Sequence, residues 1–247
     1  MQPREMGSRT SYAVVGNGRM GRAMVAAMRP HLSVEGPLER GSAADSADVV
    51  LLCVPDREIA AACAAIAPSP QRCVGHMSAS AELSLLEPHV HRFSLHPLLS
   101  IIGPGAPFSG ATCVIDASDE QTLATVEQLA SLLGMQPRHV ADDRRALYHA
   151  AASTASNYIT TVLGMTEILG AGVGLERAAF AQLVRSAVEN WSARGARDSL
   201  TGPIARGDAE TVARQRAAVI ATAPELTALW DALAHATREL ATSERAT

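Results

Sequence analysis

Short apolar runs alternate with amphipathic stretches through the first 141 residues, and then the alternation stops. Tyr12-Ala-Val-Val has the length and branching of a strand. Arg19–Met28 carries a helical period and is stopped by Pro30. Leu32–Leu38 is a weaker strand, interrupted by Gly36 and Pro37. Asp48-Val-Val-Leu-Leu-Cys-Val-Pro is almost continuously apolar, as a strand buried on both faces must be. A helix over Arg57–Ala67 follows, then strands at Arg72–His76, Arg92–Leu95, Ala111–Asp116 and Gln136–Val140. An amphipathic helix, Glu120–Leu133, separates the last two. Strands and helices in turn predict an α/β fold with a doubly wound, largely parallel sheet of the Rossmann type.

From Asp142 onward only helical periods occur. Asp142 or Asp143 is placed to cap a helix running to about Leu169, which ends in Gly170-Ala-Gly-Val-Gly. Further helices are expected over about Glu176–Ala193, over Ala209–Thr222 and after Pro224. The expected organisation is a flexible N-terminus over residues 1–11, a Rossmann domain over 12–141 and an all-helical domain over 142–247.

Composition narrows the function classes. A net charge of −4 gives no attraction for nucleic acid or an anionic membrane surface, so neither is expected as a partner. The N-terminal segment is polar and no apolar run reaches membrane-spanning length, which places the protein in the cytoplasm. All 21 basic residues are arginine, so no step can use a lysine. Cys53, Cys63, Cys73 and Cys113 are spaced too widely for a zinc pair and read as buried thiols. His89, His91 and His96 lack a carboxylate or thiol at ligand spacing, so no metal is expected.

The densest chemistry lies in Gly16-Asn17-Gly18-Arg19-Met20-Gly21, directly between the first strand and the first helix. Gly16 makes the tight turn, Gly18 lets the backbone approach a pyrophosphate, and Gly21 lets helix pack on strand. The helix start adds unpaired N–H groups and a partial positive charge for the phosphates. The second strand ends in Glu39-Arg40-Gly41-Ser42, which offers both selectors. An acid there binds the ribose hydroxyls of NAD, while Arg40 followed by two small residues suits the 2′-phosphate of NADP, the favoured cofactor. Val54-Pro55 belongs beside the ribose. Ser78, after the next strand, either reaches the cofactor or closes its own turn.

The chain resembles a short Rossmann-like family whose C-terminal half is a domain of unknown function. The likeness rests on the Gly16 fingerprint, on Ser94-Leu-His96-Pro-Leu98, on Leu147-Tyr-His149-Ala-Ala151 with Asn157, and on Leu200-Thr-Gly-Pro-Ile-Ala-Arg206-Gly-Asp208. Broader relatives are pyrroline-carboxylate reductases, ketopantoate reductases and hydroxyisobutyrate dehydrogenases. The resemblance implies NADP(H) or NAD(H) chemistry, a helical second domain with a 6-phosphogluconate-dehydrogenase-like architecture, and a homodimer. Hydroxyacid dehydrogenases of that group depend on a lysine early in the helical domain. This chain has none, so their acid–base chemistry does not carry over.

A hydride transfer also needs a group that exchanges a proton with the substrate. His149 is the first candidate, one turn into the helix where relatives keep their catalytic residue, and an imidazole titrates near neutrality. His149, Ser153 and Asn157 fall at i, i+4 and i+8, on one helical face, with Asn157 and Ser153 as substrate contacts or orienters. His96, at the ligand edge of the sheet, is the rival acid. Thr201 and Arg206 are further substrate contacts, Arg being suited to a carboxylate, and Asp208 reads as a helix cap. The expected activity is an NADP-dependent reduction of a small carbonyl, such as a 2-oxo acid, or of an imine. A non-catalytic nucleotide-sensing or partner-binding Rossmann protein is the alternative.

Overall fold

Residues 10–243 are described in a computed structural model. The expected flexible terminus therefore lies, apart from Thr10 and Ser11, outside the described residues. Ser11 itself is held, with its backbone N–H and its hydroxyl both donating to Asp48 at 2.9 and 3.0 Å.

Four apolar residues in a row form β1 (Tyr12–Val15), buried on both faces. It leads into α1 (Arg19–Met28) and then β2 (Val34–Leu38). Next come β3 (Val49–Leu52), α2 (Ile59–Ala64), β4 (Cys73–His76) and β5 (His91–Pro97). The sheet ends with β6 (Thr112–Ala117), α3 (Glu120–Leu132) and β7 (Gln136–His139). The seven strands run in the order β2-β1-β3-β4-β5-β6-β7. All neighbours pair in parallel except β5 and β6, which are antiparallel.

The period of two along each strand divides the core. Tyr12, Val14, Leu51 and Phe93 face α1 and α3, burying Met24, Met28, Val126 and Leu129. Ala13, Val15, Val50, Leu52 and Val74 face the other way, onto Ile59, Ala62 and Ile66 around α2 and onto Leu83 and Leu86. Helical packing on both faces is what a doubly wound sheet requires. The crossover from β4 to β5 carries only a 3-10 turn, Leu83–Leu86. All four cysteines are buried, as their apolar settings imply.

The sheet ends at His139, and the remaining elements are helical: α4 (Arg145–Ser153), α5 (Ile159–Ala171), α6 (Arg177–Arg194), α7 (Ala196–Ser199), α8 (Ala209–Thr222) and α9 (Thr227–Thr242). The chain divides into two compact units, residues 1–156 and 157–247. The first unit thus takes in α4 as well as the sheet. Asp208 caps α8 by accepting the Thr211 N–H at 3.0 Å, as expected.

Two expectations about the first long helix need correction. Neither Asp142 nor Asp143 caps it: Asp142–Arg144 form a 3-10 turn, and α4 starts at Arg145 without a side-chain cap. Asp142 instead accepts the Nε–H of Arg145, three residues on, and the backbone N–H of Leu83 at 3.2 Å, a tertiary partner that a local pattern does not show. The helix is also not one regular period to Leu169. Thr154–Tyr158 wind as a π turn, so the 3.6-residue spacing that put His149, Ser153 and Asn157 on one face is interrupted before Asn157.

Among the described residues, no helix is long and apolar enough to cross a membrane.

Candidate active site in the sheet unit

The chain passes from β1 to β2 on one side of the sheet and then crosses to β3 on the other. Loops at the carboxyl ends of β1 and β3 therefore diverge, leaving the crevice where open α/β sheets bind ligands. A groove of about 430 Å³ lies there, lined by Gly16, Gly18, Arg19, Met20, Arg40, Val54, Pro55 and Ser78 among others.

Each fingerprint glycine has a distinct geometric reason. Gly16 sits at φ +116, and a Cβ there would meet the Cys53 carbonyl oxygen at 2.3 Å. At Gly21 a Cβ would lie 1.8 Å from the Gly16 carbonyl oxygen, so helix and turn touch backbone to backbone. A Cβ on Gly18 would meet nothing within 4 Å. The space over it is open, and a pyrophosphate fits where a side chain would otherwise project. Gly18 also starts α1 without a side-chain cap, and the first turn carries no acid, so the N–H groups remain available to an anion.

Arg40 stands on the groove's rim and pairs with Glu58 at 2.8 Å, an exposed contact. Glu39 is tied to the fingerprint itself: the Asn17 amide donates to its carboxylate at 3.1 Å, while Asn17 Oδ1 accepts from Arg22 at 2.9 Å. Asn17 thus braces the loop with its side chain. Ser42 donates to the Glu39 carbonyl at 2.7 Å. The Ser78 hydroxyl both lines the groove and closes its turn, accepting the N–H groups of Ser80 and Ala81 at 3.1 and 3.0 Å. Asp56 faces the same groove and accepts the Ser80 hydroxyl at 2.8 Å.

A second cluster lies on β4, β5 and α4. Arg145 is the largest fully buried side chain of the described residues, at 2% exposure. Its guanidinium donates to the Ser94 hydroxyl on β5 and to Asp142, and lies 3.9 Å from the Asp116 carboxylate. One of its terminal nitrogens is buried with no hydrogen-bond partner among the described residues. Asp116 is in turn held by His139 at 2.9 Å. Three residues along α4, the hydroxyl of Tyr148 is hydrogen-bonded to His96 Nδ1, and the two rings meet edge to face with centroids 5.7 Å apart.

The field there opposes positive charge. Burial, with His149 and Arg145 nearby, lowers the His96 pKa to about 4. Burial and Arg145 lower that of His76 similarly, to about 4. Burial raises the Tyr148 phenol above its ordinary range. At neutral pH both imidazoles are uncharged and Tyr148 carries its proton.

The structure brings Gly16, Gly18, Arg19, Met20, Arg40, Val54, Pro55 and Ser78 into one groove, with Asn17 and Gly21 of the fingerprint bracing the turn behind it, and His96 into contact with α4. His149 is exposed and Ser153 half-buried on α4, within electrostatic reach of His96 in the case of His149. In the helical unit Asn157 and Arg206 are exposed, and Thr201 lines a separate apolar cavity of about 270 Å³ with Val162, Leu169 and Trp230. No cluster of three or more His, Cys, Asp or Glu side chains is placed to hold a metal among the described residues. Arg145 and Tyr148 escape sequence reasoning as functional residues. Tyr148 stands in the Leu147–Ala151 motif, where His149 draws the attention, and Arg145 follows Asp142-Asp143-Arg144, which reads as a solvated charge run.

Residues 111–237 match the family described as a domain of unknown function, DUF2520. The chain belongs to this family. In this DUF2520 protein the matched segment includes Arg145, Tyr148 and His149, whereas the glycine cradle lies before it. No curated protein matches the sequence. Among solved structures, protein BF3122 of Bacteroides fragilis is similar with a TM-score of 0.81 at 17% identity, over 93% of this chain and 98% of that one. Protein TM1727 of Thermotoga maritima follows at 0.74 and 20%, over 95% and 100%. Pyrroline carboxylate reductase of Plasmodium falciparum, solved with NADP bound, reaches 0.59 at 13%, over 95% and 99%. At these identities the likeness shows a shared fold, a Rossmann sheet followed by helices.

Proposed function

We propose that this DUF2520 protein is an NADP(H)-dependent reductase of a small carbonyl or imine. The observation that carries the reading is the groove at the sheet's switch point, where open space over Gly18, the start of α1 and Arg40 on the rim are complementary to a phosphorylated dinucleotide. Gly16, Gly18 and the first turn of α1 would hold the pyrophosphate, Val54 and Pro55 the ribose, and Arg40 the 2′-phosphate. When bound, the nicotinamide supplies the hydride. Besides the NADP-bound reductase above, a reductive aminase of Aspergillus terreus, solved with NADPH, shares the fold at a TM-score of 0.69. His96, His149 and Ser153 of the sheet unit remain the proposed contacts for the reacting substrate.

Cofactor choice follows from two magnitudes. The Arg40–Glu58 pair is exposed, and such pairs contribute about 0–1 kcal/mol. A 2′-phosphate carries more negative charge than the Glu58 carboxylate and accepts both arms of the guanidinium fork, a contact of about 1.5–3 kcal/mol, so it takes Arg40 from Glu58. NADPH is therefore expected to bind more tightly than NADH, and Arg40→Ala should weaken NADPH binding about ten- to a hundredfold while sparing NADH. Isothermal calorimetry with both cofactors checks this. Equal affinities in the wild type would return the role to Glu39 and favour NAD.

The helical unit supports a homodimer. Helix α6 is 18 residues long and buries none of them, and its Leu183 and Trp191 are 69% and 57% exposed. Helices in proteins draw most of their stability from packing an apolar face, and soluble monomers rarely leave such apolar surface open. A second copy covering this face gives α6 its packing. Light scattering at micromolar concentration should return twice the chain mass, and a monomer mass would dismiss the proposal.

The activity itself is tested by following NADPH oxidation with pyruvate and with 1-pyrroline, one probe of each substrate class. Turnover of either supports the reductase. Tight NADPH binding without turnover of either would favour the nucleotide-sensing alternative.

A further inference from the structure

The groove accounts for cofactor binding but contains no obvious proton donor. The chain has no lysine, and His149 is exposed. The Tyr148–His96 contact, by contrast, is built in. Ser94 and His96 lie two apart on β5, so they face the same side of the sheet. Arg145 and Tyr148 lie three apart on α4, on one face of the helix. The two elements are thus joined by two rungs, Arg145 to Ser94 and Tyr148 to His96. The Arg145–Ser94 rung is buried and Arg145 is also held by Asp142, which fixes the start of α4 three residues before Tyr148.

We propose that Tyr148 and His96 form the proton-transfer pair of the reaction, with Tyr148 Oη giving its proton to the substrate oxygen or nitrogen and His96 refilling it. The inference rests on the reductase reading above. As the substrate carbon gains hydride, its heteroatom takes the Oη proton. The Nδ1–H proton of His96 passes to the phenolate oxygen while Nε2 takes one from solvent water. The imidazole changes tautomer, no group is left with a net charge, and one solvent proton is consumed per hydride.

This relay needs an imidazole that is neutral in the resting state, able to donate from one nitrogen and accept at the other. The surroundings provide it. From α4, Tyr148, His149 and Arg145 face His96. Asp56 acts from the turn after β3, and Cys113 of β6 lies beside its backbone. Burial first, then the neighbouring His149 and Arg145, outweigh the one carboxylate, and the same burial keeps Tyr148 a phenol.

The test uses the full-length protein and Tyr148→Phe, which keeps the ring contact and removes only the hydroxyl. The first measurement is the ¹⁵N NMR titration of the His96 ring, independent of any ligand. In the wild type the ring should stay neutral far below pH 6.5, and Tyr148→Phe should move its Nδ1 resonance with the thermal midpoint unchanged. The second is single-turnover NADPH oxidation with pyruvate or 1-pyrroline. Tyr148→Phe should slow it by about 10² to 10³, the usual weight of a positioned acid, with NADPH affinity unaltered. His96→Asn should slow it too. A His96 ring that titrates near its ordinary value, or that ignores Tyr148→Phe, would overturn the pair. So would near-wild-type turnover in Tyr148→Phe with a collapse in His149→Ala. If the wild type reduces neither probe while the NMR coupling holds, the reductase reading fails and takes the catalytic role with it.

Discussion

Gly21→Ala is expected to abolish NADPH binding and to destabilise the sheet unit together. A helix interior ordinarily gains up to about 1 kcal/mol when glycine becomes alanine. Here the new Cβ would stand 1.8 Å from the Gly16 carbonyl oxygen, a backbone atom that cannot rotate away. Either α1 or the Gly16 turn must move, and overpacking of this kind costs about 1–3 kcal/mol, more than propensity returns. Movement of the turn also spoils the phosphate cradle. Gly18→Ala separates the two effects. Gly18 has an ordinary backbone conformation (φ −82), and its Cβ would meet nothing within 4 Å. Its thermal midpoint should hardly move, yet NADPH affinity should fall at least about tenfold, a loss of about 1.4 kcal/mol or more, because the methyl occupies the phosphate's approach. Equal NADPH affinity in Gly18→Ala and the wild type would mean that the open space has no ligand.

The second large effect concerns stability. Arg145→Met should cost about 3–5 kcal/mol, the usual penalty for removing one member of a buried ion pair. Asp142 and Asp116 would lose their common cation, and the Ser94 hydroxyl would lose its donor. That is a large share of the roughly 5–15 kcal/mol that holds a typical domain together. Urea unfolding followed by circular dichroism measures it. Adding Asp116→Asn should recover part of the loss, since that carboxylate, the more buried of the two, would otherwise be left without its cation. A change under about 1 kcal/mol would show that Arg145 is not the anchor its burial implies.

The sequence made the sheet legible because its signals are local. The apolar runs at Tyr12–Val15 and Val49–Leu52 are continuous, and β1 and β3 are interior strands of the sheet, buried on both faces. Helix α1 spans Arg19–Met28 as its period predicts, because the glycine turn before it and Pro30 after it set both ends. The cradle was legible for the same reason: its glycines and the turn they build lie within six residues. The proton-transfer cluster was not. Ser94 meets Arg145 across 51 residues of sequence, and His96 meets Tyr148 across 52. Only the antiparallel turn into β6 and the return to α4 bring them together. Arg145 follows two aspartates and another arginine, a run that reads as solvated until Asp116 and Ser94 are placed beside it. The π turn at Thr154–Tyr158 likewise leaves no mark in Thr-Ala-Ser-Asn-Tyr.

The central claim is that this DUF2520 protein binds a reduced, phosphorylated nicotinamide dinucleotide in the groove beside Gly18. Titrating NADPH with the purified protein and following its fluorescence tests this most directly. A saturable change with one site per chain, weakened by Gly18→Ala and by Arg40→Ala, is the expected result. No saturable change at millimolar protein and cofactor, or binding that ignores both substitutions, would contradict it.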